Sequence, residues 1–198
     1  MLARWALIAT ANPLFFFCKP NDNTSVVPVA TGTIATIAYP PLTSNYHFDA
    51  EPVGCIGTAS ANIAIDDTTK HIFGYAVGLD MTRRDLQIRM RESGRPWEIG
   101  KAFDYSAPVG PVKRIADIGE ISTGTIDLSV DGATKQKSDI THLIWSVNEV
   151  IANLSTLFTL DPGDLIFSGT PEGVSAVRRG QTMHVSVEEL DNITVRVN

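Results

Sequence analysis

The sequence lacks any apolar run that approaches the roughly 20 residues of a membrane-spanning helix. It is also poor in charge: charged residues make up 19% of the chain, the net charge is −6, and the Lys and Arg residues are scattered. A nucleic-acid-binding surface needs a basic patch, which this distribution does not offer. We therefore expect no membrane partner and no nucleic-acid partner, and we look for a small-molecule site.

Cysteine is scarce, and the two that are present, Cys18 and Cys55, form no spaced motif. A disulfide framework needs several cysteines at defined spacings, so none is expected here. We expect two buried thiols in a protein of the reducing cytoplasm.

The N-terminal stretch "MLARWALIATANPLFFFCKP" resembles an export signal only superficially. Asn12 and Pro13 interrupt its apolar run, and phenylalanines stand before Cys18 where a cleavage site needs small residues. We interpret residues 14–17 instead as a short buried strand that ends at Lys19-Pro20.

What the sequence does contain is a set of short β-branched segments separated by Gly, Pro, Asn or Asp. With 198 residues and 43% hydrophobic residues, the chain suits one medium-sized domain. An Asp-Gly pair at 131–132 predicts a β-hairpin. Helical patterns cover residues 66–73, residues 82–93 with a Thr82 cap and Gly94 at the end, and residues 139–159. The expected fold class is α+β, mostly β, with a few packed helices. The strand-like segments are "SVVPVA", "GTIATIAY", "EPVGCIG", "TIDLSVDGATKQ" and "MHVSVEEL..ITVRV".

The stretch "YHFDAE" at 46–51 places His47, Asp49 and Glu51 at alternate positions, which share one face of a strand. Asp80 adds a third acid at the end of the apolar run "FGYAVGLD". Three oxygen ligands of this kind suit a hard divalent ion such as Mg²⁺ or Mn²⁺. The alternative is that the acids are solvated residues on an edge strand.

Two further segments carry candidate binding groups. In "GTPEGV", Gly169 lets the backbone approach a ligand and Thr170 adds a hydroxyl, although the same letters also describe an ordinary tight turn. In "GRPWEIGKAFD", Lys101 lies among apolar residues. It is either a snorkelling surface side chain or a cation aimed at a carboxylate substrate.

Together, four segments resemble the fumarylacetoacetate hydrolase family, and most of all its short bacterial acylpyruvate and fumarylpyruvate hydrolases. The resemblance runs from about Pro13 to the C-terminus and implies a mixed β-sandwich roll that is usually dimeric. The segments are "YHFDAE", "GYAVGLDMTRRDLQ", "GRPWEIGKAFDYSAPVGP" and "LIWSVNEVIANLSTLFTLDPGDLIFSGTPEGV".

The resemblance also implies site residues. The metal, Mg²⁺ or Mn²⁺ with Ca²⁺ as a further option, would be held by Asp49, Glu51 and Asp80. Substrate would be contacted at Arg84, Gln87, Gly169 and Thr170. Lys101 would offset negative charge on the substrate or on the leaving enolate, and His47 would orient the metal site from beside it.

The implied reaction is metal-dependent hydrolysis of a C–C bond in a 1,3-diketo acid such as fumarylpyruvate, giving pyruvate and a carboxylic acid. One alternative within the family is an isomerase or decarboxylase of related keto acids. Another is a member of impaired activity that binds only metal or keto acid, because fold alone does not fix function.

The chain departs from the family pattern in three places. Relatives usually carry a glutamate where Asp49 stands, so we expect weaker or shifted metal binding. Relatives also carry an N-terminal lid whose histidine and glutamate activate water. We expect residues 1–12 to be a short extension without that lid, followed by the domain at 13–198, and hydrolysis slower by the roughly 10²–10⁴-fold that a general base contributes. Ser168 and Ser175 replace a usual threonine and glycine, and Ser175 would be strained at a positive φ.

Overall fold

Two β-sheets form the frame of the protein in a computed structural model that describes residues 14–198. The predicted boundary after residue 12 and the predicted lack of a lid segment lie outside the described residues. No helix in the described part of the chain is long and apolar enough to cross a membrane.

The first sheet is built on two long antiparallel strands, β3 and β4. Its main path runs β1-β5-β4-β3-β10, while β6 pairs with β4 and β9 pairs with β3. Among the described strands of this sheet, β1 and β5 pair in parallel and the other pairs are antiparallel. The strands of this sheet are β1 (Val26–Pro28), β3 (Tyr46–Ile56), β4 (Ile72–Arg83), β5 (Ala107–Val109), β6 (Lys113–Arg114), β9 (Leu165–Phe167) and β10 (Ser175–Ala176).

The second sheet has the strand order β2-β12-β11-β7-β8. The predicted Asp-Gly hairpin is confirmed: Asp131 and Gly132 join β7 to β8 with φ angles of 50° and 80°. Positive φ at both central residues is the requirement of a type I′ turn. The strands are β2 (Ile34–Ile37), β7 (Thr125–Val130), β8 (Ala133–Asp139), β11 (Thr182–Val187) and β12 (Ile193–Val197).

The helices are short and lie between strands, which confirms a mostly β fold with few helices. The α-helices are α1 (Arg84–Glu92), α2 (Glu98–Lys101), α3 (Ile115–Ile118) and α4 (Val147–Ser155). Two 3₁₀ turns cover Ile65–Lys70 and Ile140–His142. The first overlaps the predicted helical segment 66–73, and its N-terminal turn carries the aspartates that favoured a helix start.

The long helix predicted at 139–159 is wrong, because residues 143–146, between the 3₁₀ turn and α4, are non-helical and contain a bend. Ser146 begins α4 with a capping box: its side chain accepts from the Glu149 N–H, and the Glu149 side chain accepts from the Ser146 N–H. The predicted Thr82 cap is also wrong. Thr82 belongs to β4, and α1 begins after Arg83 without a side-chain cap.

The strand predicted at residues 14–17 is wrong as well. No strand forms there, and Phe15 is 62% exposed. Phe15 packs edge-on against Trp97, with ring centroids 4.7 Å apart. Cys18 is exposed rather than buried, whereas Cys55 is buried as expected, and both thiols are free.

The core lies between the sheets and fixes which side chains β3 and β4 turn away from it. Tyr46, Phe48 and Ala50 of β3 join one buried cluster with apolar side chains of β7, β11 and β12. Successive residues of a strand point to opposite faces. His47, Asp49 and Glu51 therefore project from the other face of the first sheet.

Helix α4 anchors this frame against β3. A Cβ added at Gly54 would lie 3.3 Å from the Ile151 side chain, and Ile151 is fully buried. We predict that Ile151→Ala lowers the free energy of unfolding by about 2–5 kcal/mol, because the lost methyl groups leave a cavity. Chemical denaturation measures the loss.

Leu157→Ala is the matched control, since Leu157 follows the same helix and is 62% exposed. Its change should stay within about 0.5 kcal/mol. Equal effects of the two substitutions would contradict the described packing of α4.

Candidate active site

The three acids predicted to bind metal meet on one face of the first sheet. Asp49 of β3 stands directly opposite Asp80 of β4, and Glu51 stands opposite Gly78. They are 5%, 5% and 3% exposed for Asp49, Glu51 and Asp80. The edge-strand alternative is wrong, because β3 is bordered by β4 on one side and by β9 and β10 on the other.

Gly78 keeps space beside Glu51. A Cβ there would come within 2.5 Å of Val53 and 2.7 Å of Phe167. Any larger residue would push these apolar neighbours aside. The glycine is therefore required by packing at the position that faces Glu51 across the strand pair.

Lys101 is buried in the acid cluster. Its Nζ contacts Asp80 Oδ2, donates to Thr82 Oγ1 at 2.7 Å and lies 3.5 Å from Asp49 Oδ2. The snorkelling alternative is wrong, because the residue is only 3% exposed. Lys101 is a cation held between two carboxylates.

Close packing of α1 on α2 positions Lys101. A Cβ added at Gly100 would lie 2.9 Å from the backbone nitrogen of Gln87. Only glycine allows this approach, and the residue that follows it is Lys101. The Gly-Lys pair thus delivers an ammonium group into the site from a helix of four residues.

Lys19 is a site residue that the sequence did not reveal. Its Nζ lies 2.8 Å from Asp80 Oδ1 and donates to the Lys101 carbonyl at 2.8 Å and the Met81 carbonyl at 3.2 Å. Residues 14–20 run as irregular chain past the site. A single lysine before proline carries no periodic signal, so only the fold brings it to Asp80.

Arg84 and Gln87 lie one turn apart on α1 and contact each other. Arg84 Nη1 donates to Gln87 Oε1 at 2.6 Å, and Nη2 lies 3.3 Å from Asp49 Oδ1. The Arg84 side chain is 20% exposed. It thus combines a link to the acid cluster with access from solvent.

The Gly-Thr-Pro turn lies against β3. The Gly169 N–H donates to Glu51 Oε2 at 2.9 Å, and Thr170 Oγ1 donates to the Ala50 carbonyl at 2.6 Å. Ser168 Oγ donates to the Pro52 carbonyl at 2.8 Å. The turn thereby fixes the Glu51 carboxylate. Ser175 lies in β10 and is not among the residues with positive φ.

His47 lies at the margin of this site. Its Nε2 is 2.8 Å from Asn45 Oδ1, and its Nδ1 has no hydrogen-bond partner within residues 14–198. Burial, together with the charge of Arg84, lowers its pKa to about 4. The imidazole is therefore neutral near pH 7, and its predicted catalytic role stays a prediction.

The charges of the three acids differ in how they are balanced. Burial, together with the neighbouring charges of Asp80 and Asp49, raises the pKa of Glu51 to about 8. Burial also raises the pKa of Asp49. Burial acts in the same sense on Asp80, but Lys19 and Lys101 outweigh it and hold that pKa below its ordinary value.

The donor set fits a hard divalent cation. Three buried carboxylates share one face, and Glu51 has no ammonium or guanidinium partner among the described residues. As the side chains stand, no three acidic, His or Cys groups within residues 14–198 form a ready-made ion site. Lys19 and Lys101 contact the Asp80 oxygens that a cation would use. The three carboxylates therefore suit the cation by their chemical type and by their common face.

Comparison with known proteins agrees with this geometry. Residues 7–198 match the family model described as fumarylacetoacetate (FAA) hydrolase C-terminal. The chain belongs to this family, which confirms the resemblance and the fold class expected from the sequence.

Individual relatives narrow the comparison. The chain is 46% identical to a fumarylpyruvate hydrolase from Ralstonia sp over 163 residues, 82% of this chain and 84% of the relative. A crystal structure of fumarylpyruvate hydrolase from Pseudomonas aeruginosa in complex with Mn²⁺ and pyruvate is 54% identical with a TM-score of 0.92, over 95% of this chain and 80% of that one. Oxaloacetate tautomerase YcgM from Escherichia coli is 34% identical over 81% of this chain and 74% of its own length.

The raised pKa of Glu51 makes a prediction for the metal-free protein. Its folded-state pKa of about 8 lies above the ordinary 4.5. Between these values the unfolded chain has released a proton that the folded chain keeps. The contribution of Glu51 to stability should therefore fall by roughly a few kcal/mol as pH rises from about 4.5 to about 8. His47, whose pKa is lowered to about 4, contributes in the opposite sense up to about pH 6.5, so the Glu51 contribution is measured against a variant that lacks it.

Glu51→Gln removes this titration, so with EDTA present its free energy of unfolding should exceed that of the unmodified protein at pH 8.5 but not at pH 4.5. Glu92→Gln on exposed α1 surface is the control and should keep the original pH dependence. Urea unfolding at several pH values measures both. Parallel curves for all three proteins would refute the assignment.

Proposed function

We propose that this protein is a metal-dependent hydrolase that cleaves a C–C bond of a 1,3-diketo acid such as fumarylpyruvate, giving pyruvate and a carboxylic acid. The observation that carries the proposal is the set of three buried carboxylates beside Lys101 and the Gly-Thr-Pro turn. Similarity to a fumarylpyruvate hydrolase that binds Mn²⁺ and pyruvate supports it. Asp49, Glu51 and Asp80 would hold Mg²⁺ or Mn²⁺, with Ca²⁺ as a further option.

Charge balance indicates what kind of substrate the site accepts. Three carboxylates, of Asp49, Glu51 and Asp80, lie among three cationic side chains, of Lys19, Lys101 and Arg84. Fully ionised, these groups sum to zero. Two added positive charges would leave an uncompensated +2 in a buried site, which is costly. A keto acid with two carboxylates, such as fumarylpyruvate, carries two negative charges and restores the balance.

The reaction consumes one water. The water oxygen bonds to the acyl carbonyl carbon, the bond between that carbon and the neighbouring CH₂ breaks, and the electron pair passes to the pyruvate fragment as an enolate. Protonation of the CH₂ carbon of this enolate gives the methyl group of pyruvate, and the water oxygen stays on the carboxylic acid formed from the acyl group. A bound divalent ion supplies Lewis-acid polarisation and stabilises developing negative charge.

The chain's own side chains orient the substrate. Arg84 has solvent access and a planar donor face that suits a carboxylate, and Gln87 fixes its guanidinium. The buried Lys101 ammonium offsets charge on the acid or on the enolate. Gly169 and Thr170 place the turn, with its backbone dipoles, beside Glu51. His47 remains a candidate proton acceptor because it is neutral near pH 7.

A second candidate function comes from other family members. Oxaloacetate tautomerase YcgM is 34% identical, and a mitochondrial oxaloacetate decarboxylase from Dictyostelium discoideum is 33% identical. Both handle a keto acid of the same charge type. The higher identity to fumarylpyruvate hydrolase favours hydrolysis over tautomerisation, decarboxylation or mere binding.

Metal dependence tests the proposed reaction. We predict that EDTA-treated protein does not hydrolyse fumarylpyruvate and that Mn²⁺ or Mg²⁺ restores hydrolysis, followed as loss of the absorbance of the enolised diketone and as pyruvate formed. Glu51→Gln should lower kcat/KM at least tenfold because it removes an oxygen-ligand charge.

Glu92→Gln, which is remote from the acid cluster, serves as the control and should match the unmodified protein. Activity that survives EDTA, or equal rates for Glu51→Gln and Glu92→Gln, would contradict the metal site. Turnover of oxaloacetate without turnover of fumarylpyruvate would favour the second candidate.

The proposal includes a homodimer in the cytoplasm, with a keto acid as the small-molecule partner. Two free thiols, one of them exposed, suit a reducing compartment. Several large apolar side chains are exposed and available for cover by a second subunit, among them Ile34, Leu42 and Phe73. We predict a mass of twice 21.4 kDa in light scattering at micromolar concentration. A monomer there would refute the dimer.

A further inference from the structure

Gln136 is a buried polar residue on β8, the edge strand of the second sheet. It is 1% exposed, whereas the other residues of the edge strand β8 are exposed or half-buried. Its side chain leaves the second sheet and reaches the Gly-Thr-Pro turn, which belongs to the site on the first sheet. We propose that Gln136 is a positioning residue that holds this turn, and through it Glu51, in the geometry needed to bind a divalent cation. This inference rests on the metal site of the proposed function.

The direction of each hydrogen bond in this contact is fixed by the groups themselves. The Pro171 carbonyl can only accept, so the Gln136 amide group that faces it at 3.2 Å is the NH₂ group. The same Nε2 is 2.6 Å from Thr170 Oγ1. Thr170 in turn donates its only hydroxyl proton to the Ala50 carbonyl at 2.6 Å. The two hydrogen bonds therefore run in one direction: Gln136 donates to Thr170, and Thr170 donates to Ala50.

This pair of hydrogen bonds ends at Ala50, which lies between two of the metal-binding candidates. Ala50 separates Asp49 from Glu51 on β3, and the residue before Thr170 donates its N–H to Glu51 Oε2. A shift of the turn would move the Gly169 N–H away from Glu51. Because Glu51 has no cationic partner among the described residues, that N–H is the group that orients its carboxylate.

Packing reinforces the hydrogen bonds. Gly173 adopts φ 126°, and a Cβ there would come within 2.8 Å of Gln136 Cγ. The turn therefore lies directly on the aliphatic part of Gln136. A residue without the amide could fill this space, but it could not hold Thr170 and Pro171.

The buried amide of Gln136 lowers the stability of the fold through one of its two polar atoms. Its Oε1 is buried without a hydrogen-bond partner in the described part of the chain. An unpaired buried carbonyl typically costs about 1–3 kcal/mol. An apolar side chain would avoid this cost, so the retained amide indicates a role in placing the turn.

Thr170 acquires a different role from the one expected of it. Its hydroxyl proton is committed to Ala50, and one lone pair accepts from Gln136. The hydroxyl is thus a link between the two sheets, and it does not offer its proton to a substrate carboxylate.

Calorimetric titration with Mn²⁺ tests the inference, because it separates the dissociation constant from the number of competent sites. Gln136→Leu should raise the Mn²⁺ dissociation constant about tenfold, as loss of a residue that supports a ligand does. Thr170→Val should act similarly. The double variant should resemble the weaker single variant instead of showing the product of both losses, because the two residues act in one chain.

Ser138→Ala is the control, since Ser138 follows on the same strand and bonds to His142 instead of the turn. It should leave Mn²⁺ affinity unchanged. Gln136→Met replaces Gln136→Leu if the latter fails to fold. A dissociation constant within twofold of the original, or independent losses in the double variant, would overturn the inference. Fewer sites at an unchanged dissociation constant would mark a purely structural role and would overturn it too.

Hydrogen exchange followed by mass spectrometry tests the positioning role of Gln136 without relying on metal binding. If the unmodified chain binds no Mn²⁺, the metal site fails, yet exchange in residues 168–174 still reports on the turn. Gln136→Leu should speed exchange there at least tenfold over Ser138→Ala. Unchanged exchange would overturn the positioning role by itself.

Discussion

The antiparallel register of β3 and β4 is the constraint on which the rest of the site depends. It sets Asp49 directly opposite Asp80 and Glu51 two residues further along the same face. Like charges at this distance cannot remain buried and ionised without compensation. The structure meets this demand by bringing Lys19, Lys101 and Arg84 from three separate segments to the same face. The other face of the same strands packs into the core, so the register cannot slip without exposing Phe48 and Ala50.

The negative charges of the three acids are compensated unequally by cationic side chains, and this difference favours a metal ion beside Glu51. Both oxygens of Asp80 face ammonium groups, while Glu51 receives a backbone N–H from Gly169 and, within residues 14–198, pairs with no ammonium or guanidinium group. Burial, followed by the negative charges of Asp80 and Asp49, raises the pKa of Glu51, and Lys101 offsets them only in part, so Glu51 lacks a full positive charge beside it. A divalent cation beside Glu51 supplies that charge, and an anionic keto acid then balances the surplus. In this account the charges of the metal ion, the substrate and the protein side chains sum to about zero in the buried site.

Local patterns predicted much of this arrangement, and long-range contacts account for what they missed. Alternation placed Asp49 and Glu51 together, and the Asp-Gly pair located the hairpin of β7 and β8. The capping box of α4 was also present as Ser146 and Glu149, yet the apolar spacing from residue 139 hid it, because isolated apolar residues in non-helical chain can mimic a helical period. Lys19 and Gln136 could not be found in this way. Each reaches the site through irregular chain or from the other sheet, and neither has a spacing that records it.

The residues from 14 to 20 show why propensity alone failed at the N-terminal side. Three phenylalanines favour a strand, but residues 14–20 pair with no strand in the described part of the chain, and the segment instead places Lys19 on Asp80. Phe17 lies 4.8 Å from the Lys101 ammonium, measured to the ring centroid. Tertiary placement of charge thus overrides local preference. The same segment supplies one of the three cations that the acid cluster needs.

The most direct test of the account is a crystal structure of the protein with Mn²⁺ and pyruvate, with the ion located by its anomalous scattering. The account predicts one anomalous peak within coordination distance of carboxylate oxygens of Glu51 and Asp80, on the face that also carries Asp49, with at least one lysine moved off Asp80. A structure in which Lys19 and Lys101 keep both oxygens of Asp80, and in which saturating Mn²⁺ gives no peak beside Glu51, would contradict it.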